Sequence, residues 1–153
     1  MTLELRPVTQ DAIDYVLAHL SAADRAEMQA SGLQDPPEVF ATAAAEAPIA
    51  HAVYLDGEPV AILGCNAGPV EGIGIPWMIG TDKAAQTGVA GAVLSRRTVA
   101  QMRHRFTHLT NWVHCEHRRA IRWLKWLGFR VKQHPVGPNG AFLEFEMEGV
   151  NDV

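Results

Sequence analysis

The chain has 153 residues and a mass of 16.7 kDa, with 48% hydrophobic and 20% charged residues. That composition suits one compact domain and excludes a collagen-like chain, a disulfide-stapled miniprotein and a long disordered polyelectrolyte. The net charge of −4 hides a polarised chain: residues 1–82 hold 12 acids and 2 bases, residues 83–132 hold 1 acid and 11 bases, and residues 133–153 hold 4 acids and no base. Such a pattern can focus an anion on one side of a fold that is acidic overall.

The start, MTLELRPVTQD, has acids where a signal peptide needs a basic region and an apolar run. No stretch approaches the ~20 apolar residues of a membrane span. Cys65 and Cys115 form no CxxC pair and no disulfide framework, which points to a reducing compartment. The expectation is a cytoplasmic protein with no membrane partner and a single domain over residues 1–153.

Leu3, Leu5 and Val8 alternate around polar residues as a first strand. Ile13, Val16, Leu17 and Leu20 recur at helical spacing over residues 11–20. Ser21 and Asp24 read as a capping-box variant opening a helix through Ala30, with Gly32 as its stop. Pro36 and Pro37 precede an alanine-rich helix over 38–47. Residues 49–55 and 59–65 flank Asp56-Gly57, a strong hairpin signal. Residues 72–79 (GIGIPWMI) are a third apolar stretch, and Pro76 within it predicts a bulge, a splayed pair or an edge.

A polar lead-in over 80–87 precedes a long helix from Gly88 to about Phe106. A strand over 108–114, a helix over 117–127 stopped by Gly128, and two closing strands at 129–133 and 141–147 complete the chain. The order β-α-α-α-β-β-β-α-β-α-β-β describes an α/β (α+β) domain on one mixed sheet covered by helices.

The most specific segment is 111–129, NWVHCEHRRAIRWLKWLGF. On its helix Ala120, Ile121, Leu124 and Leu127 share a face, while Arg118, Arg119, Arg122 and Lys125 cover much of the rest. The order strand, helix from about position 117, Ala120 and then Gly128-Phe129 resembles the fourth conserved motif region of the Gcn5-related N-acetyltransferase (GNAT) superfamily. WMIGTD at 77–82, a polar helix and then AIRWLKWLGF at 120–129 are similar to a phage and prophage subgroup that includes the internal virion protein A type of short-tailed phages.

The resemblance implies a GNAT-like acyl-CoA N-acyltransferase fold: a mixed, mainly antiparallel twisted sheet flanked by helices, with strands splayed near Pro76. It implies acetyl-CoA (coenzyme A) as cofactor, no metal, and an amine acceptor that is a small molecule or a protein amine. A backbone N–H near Met78 or Ile79 then faces the acyl oxygen, and Gly80, Gln86, Thr87, Gly88, Val89 and Ala90 form the loop that holds the diphosphate. Gly80, Gly88 and Gly91 also surround a predicted helix N-terminus, where small residues and the helix dipole favour phosphate. His117 stands where the family has an asparagine on the pantetheine arm, and Arg122 and Lys125 are placed to meet the coenzyme's phosphates. Glu71 and His114 are the candidate bases, acting through water; the ordinary pKa of histidine, ~6.5, suits proton transfer near neutrality.

The pattern departs from the family in two further places. The usual loop signature is Gln or Arg, two residues, Gly, one residue, Gly or Ala; Gln86-Thr-Gly88-Val-Ala90 is one residue shorter. Leu124 stands where many members carry the tyrosine that protonates the leaving thiolate. The alternative function is therefore a catalytically degenerate GNAT-fold structural or interaction protein of a phage or prophage, virion-associated, with a virion protein partner. Other classes carry less. His114, Cys115 and His117 lack the spacing of a zinc site. The basic stretch with Trp112, Trp123 and Trp126 comes without a zinc finger, an RNA-recognition signature or a basic tail, so nucleic acid is not the expected partner.

Overall fold

Alternating apolar residues begin the chain as β1 (Leu3–Arg6), which pairs antiparallel with β2 (Ile49–Leu55). The computed structural model describes residues 1–150, so residues 151–153 of the expected domain lie outside the described residues. Between these strands run three helices. In α1 (Gln10–Ala18) the Thr9 side chain accepts the Ala12 N–H. The helix ends before Leu20, because Leu20 leaves it to bridge Thr81. Ser21 caps α2 (Ala22–Ser31) by accepting the Asp24 N–H at 3.2 Å, and Gly32 ends it at φ 73°. The reciprocal half of the capping box is not made; the Asp24 carboxylate reaches out to other elements. Pro36 and Pro37 lie inside the first turn of α3 (Pro36–Glu46), where a missing N–H costs no helical bond.

The hairpin of β2 with β3 (Glu58–Ala67) turns at Asp56-Gly57, both with positive φ, 51° and 81°. Pro59 faces Tyr54 beside a register shift at Val53/Tyr54, which accommodates its missing donor. β4 (Ile73–Gly80) pairs with β3 in unbroken register from Ala61↔Gly80 to Ala67↔Gly74. The bulge considered for Pro76 is therefore absent; its irregularity lies on the other edge of the strand. After a short 3-10 turn come α4 (Gly88–Arg105), β5 (His108–His114) and α5 (Arg118–Leu127). Gly128 ends α5 at φ 105°, and the Phe129 N–H folds back to the Leu124 carbonyl. β6 shrinks to Arg130–Val131, and β7 (Phe142–Glu148) closes the chain.

The seven strands form one sheet in the order β1-β2-β3-β4-β5-β7-β6, antiparallel except for β4 beside β5. Strand alternation sends side chains to two cores. On one face Ala12, Ile13 and Val16 of α1 pack on Ala52, Ile62 and Ile79, with Phe40 of α3 alongside. On the other, Met102 and Phe106 of the α4 segment join Leu124, Leu109, Phe129 and Phe145. α2 has no fully buried residue; its Met28 packs half-buried on the first of these cores.

Candidate active site

β4 and β5 pair in parallel at only two positions, Ile73↔His108 and Gly74↔Leu109, and then part. The sequence dictates the parting. In a strand, a residue's N–H and C=O share one edge. The Pro76 carbonyl faces β5, since it accepts from Asn111 Nδ2 at 2.7 Å; the donor that proline lacks would have lain on that same edge. Asn111 Oδ1 in turn accepts the Trp112 N–H at 2.7 Å. A side chain thus replaces the ladder at the start of the gap. α4 and α5 each follow one of the two diverging strands, so both helices begin on the open side, the usual place for a ligand crevice between parallel strands.

Further along the β4 edge the Gly80 peptide is engaged twice: its N–H donates to Asp24 Oδ2 at 2.8 Å, and its carbonyl accepts the Ser21 N–H at 2.9 Å. Between Pro76 and Gly80 lies Met78, 39% exposed. Alternation turns its N–H into the gap, where it meets no hydrogen-bond partner among the described residues; the same alternation turns the Ile79 N–H into the ladder with β3. On the β5 edge the His114 N–H donates to Glu27 Oε2 at 2.8 Å. His114 Nδ1 accepts the Glu116 N–H at 3.1 Å. His117 caps α5, its Nδ1 accepting the Ala120 N–H at 3.4 Å, and its Nε2 donates to Asp24 Oδ1 at 2.8 Å.

Four titratable residues, Asp24, Glu27, His114 and His117, therefore gather at the open end of the gap, His114 through its backbone N–H. The hydrogen bond to Asp24 raises the pKa of His117, and burial raises that of Glu27. Asp24 lies in the first turn of α2 and contacts the N-cap of α5, two helix ends whose partial positive charge suits a carboxylate. Sequence reasoning found the two histidines, read Asp24 only as a cap, and missed Glu27. The available signal was a pair of acids at helical spacing on a segment without an apolar face.

Of the other expected residues, Glu71 is not brought to this site. It is exposed in the turn before β4, seven residues from Met78, or about 23 Å at about 3.3 Å per residue. Gln86 and Thr87 end the 3-10 turn, whose start is set by Thr81 Oγ1 accepting the Lys83 N–H at 3.2 Å. Gly88 (φ 60°) opens α4, with no side-chain cap, no acid in the first turn, and exposed Val89 and Ala90. Arg122 and Lys125 are exposed on α5, and Arg96 of α4 lies 4.1 Å over the Trp126 ring. Trp123 packs against the core and Trp112 against Phe142. Leu124 is buried. Among the described residues no group of three or more His, Cys, Asp or Glu could hold a metal ion, and no helix is long and apolar enough to cross a membrane.

No protein-family model matches the chain, and no curated protein is similar to it in sequence. Solved structures are similar over nearly the whole chain. An acetyltransferase of the GNAT family from Streptococcus pneumoniae matches with a TM-score of 0.67 at 14% identity, over 97% of this chain and 100% of that one. The ribosomal-protein-S18-alanine N-acetyltransferase of Escherichia coli matches with 0.66 at 15% identity, over 97% and 93%. The PaiA N-acetyltransferase of Thermoplasma acidophilum, solved in complex with coenzyme A, matches with 0.68 at 8% identity, over 97% and 99%. The fold is that of the GNAT acyl-CoA N-acyltransferases.

Proposed function

We propose that this protein is an acetyl-CoA-dependent N-acetyltransferase that moves an acyl group to a primary amine by direct attack. The observation that carries this reading is the gap itself: β4 and β5 part at Gly74, and the Met78 peptide edge is left unpaired between them. The coenzyme combines an amide-bearing arm with a diphosphate. The Met78 edge and the uncapped, acid-free first turn of α4 fit those two parts. The Gly80 peptide fits only if α2 yields it, since both its bonds are already taken. The likeness to N-acetyltransferases, one solved with coenzyme A, supports the same assignment.

Acetyl-CoA bound there supplies an electrophilic thioester carbonyl. The chain's part is to orient the amine, take its proton and meet the charge that develops on the acyl oxygen. The Met78 N–H is the donor for that oxygen. His114 Nδ1 is committed to the Glu116 N–H, so in the neutral ring Nε2 carries the proton and is a donor. The proton acceptor in the gap is then Glu27, whose Oε1 has no partner among the described residues and whose basicity is raised by burial. Arg122 and Lys125 supply countercharge to the phosphates. The acceptor is a small-molecule or protein amine.

A second reading is a non-catalytic GNAT-fold protein of a phage or prophage with a virion protein partner. Leu124, buried where a tyrosine hydroxyl would serve as acid, favours it. Isothermal titration with acetyl-CoA separates the readings. Binding followed by thiol release with at least one of a panel of amines, polyamines and peptide N-termini is the expected result. No binding up to millimolar concentration overturns the cofactor assignment, and binding without release from any amine favours the second reading.

A further inference from the structure

α2 reaches the gap with unusual economy. It buries no side chain fully, and its one large apolar residue, Met28, packs half-buried on the Ile13 and Ile62 core, so the apolar contacts that hold most helices in place are few. The rest of its attachment is polar: Ser21 and Asp24 on β4, Asp24 on α5, and Glu27 on β5. Asp24 does the most, because its two oxygens take two different donors, the Gly80 N–H and His117 Nε2, both at 2.8 Å. The Asp24 and His117 side chains are 18% and 13% exposed, so water competes weakly for these bonds. The two donors come from β4 and from the start of α5, the elements that bound the open end of the gap.

We infer that Asp24 is an internal competitor for the coenzyme: its carboxylate occupies the two donors, Gly80 N–H and His117 Nε2–H, that a carbonyl of an entering amide arm needs, and the first turn of α2 must release them before the arm can lie along β4. The inference rests on the coenzyme reading above. Release is feasible because lifting the first turn, residues 22–25, breaks hydrogen bonds and leaves Met28, one turn further along α2, on the core; segments with so few apolar contacts are the ones that open locally. Glu27, one turn further along α2 and bonded to β5, keeps the helix tethered while its first turn lifts. The chain thereby trades affinity for a closed resting site. A ligand without groups to replace both Asp24 bonds does not open it.

The test compares wild type with Asp24→Ala, and with Glu116→Gln, which removes a charge from an exposed acid beside His117 without touching the clamp. In the ligand-free proteins, amide exchange of Gly80 followed by NMR should be about tenfold faster in Asp24→Ala than in wild type, and unchanged in Glu116→Gln. Coenzyme A titrated at fixed ionic strength should bind about tenfold more tightly to Asp24→Ala, and less than about twofold more tightly to Glu116→Gln. If Asp24→Ala does not fold, Asp24→Asn, which keeps one acceptor but not two, should show the same changes in smaller measure. Unchanged Gly80 exchange in a folded Asp24 variant overturns the clamp. Weaker coenzyme binding in that variant overturns the competition, as does an equal gain in Glu116→Gln. Coenzyme binding to none of the proteins overturns the cofactor reading instead, and the ligand-free exchange still decides whether the clamp exists.

Discussion

His117 is asked to do two things with one ring. As the N-cap of α5 it offers Nδ1 as an acceptor, which requires that nitrogen to be unprotonated; beside Asp24 it gains from carrying a second proton. The longer bond is the capping one, 3.4 Å against 2.8 Å, and the Asp24 interaction raises the ring's pKa, with burial and Arg119 opposing and Glu27 assisting. The sign follows from linkage. A histidine raised above its unfolded value of ~6.5 contributes fully below that value, and the contribution is lost as pH rises through the folded one. The difference in Tm between wild type and His117→Gln should therefore shrink between about pH 6 and pH 9. A difference that stays constant over that range would show that the ion pair adds nothing to the fold. Leu124 makes the opposite point about single residues. Its identity showed from the sequence that no hydroxyl is present, and its burial against the Phe129 and Phe145 core explains why leucine suits the place.

At the scale of elements, the gap depends on one strand that cannot complete its ladder and one side chain that bridges the deficit. Pro76 removes a donor from the edge of β4, and Asn111 satisfies the carbonyl beside it while also taking the Trp112 N–H. Asn111→Ala leaves both groups without these partners. Each bond of this kind is worth about 1 kcal/mol net, so the variant should lose about 1–2 kcal/mol in urea unfolding. Asn111→Asp should behave differently: the carboxylate keeps the Trp112 bond but cannot donate to Pro76, so it repels that carbonyl and gains little over alanine. Stability in Asn111→Ala equal to wild type would mean that packing, not this bridge, sets where the strands part. The legibility of elements followed their locality. The Asp56-Gly57 hairpin, the length of α4 and the Gly128 stop of α5 were readable because turn chemistry and helical period act within a few residues. Pro76 predicted an irregularity without choosing among a bulge, an edge and a splay, because that choice depends on which neighbour each edge of β4 receives.

For the whole molecule the question is where the charge goes. The fold puts most of the basic stretch on α4 and α5, with Arg122 and Lys125 exposed on α5 and Arg103 and Arg105 in the last turn of α4, at the end away from the gap's opening, while the acidic first half supplies α1, α2 and α3. Arg96 stacked on Trp126 joins the exposed faces of α4 and α5. Arg122→Ala and Lys125→Ala should each weaken coenzyme A binding, more at low than at high salt, because exposed charges act through a screened field. A loss that ignores ionic strength would assign them to direct packing instead.

The layered α/β architecture, the polarised charge and the basic helix α5 with its glycine stop were contained in residue order, since each rests on composition or on contacts a few residues apart. The meeting of Asp24 with Gly80 and His117, and of Glu27 with His114, was not. These bonds span 56, 93 and 87 residues. A carboxylate on a polar helix carries no local mark of which distant donor it will meet; that follows only when the parallel placement of β4 and β5 and the return of α2 bring three separate segments to one opening.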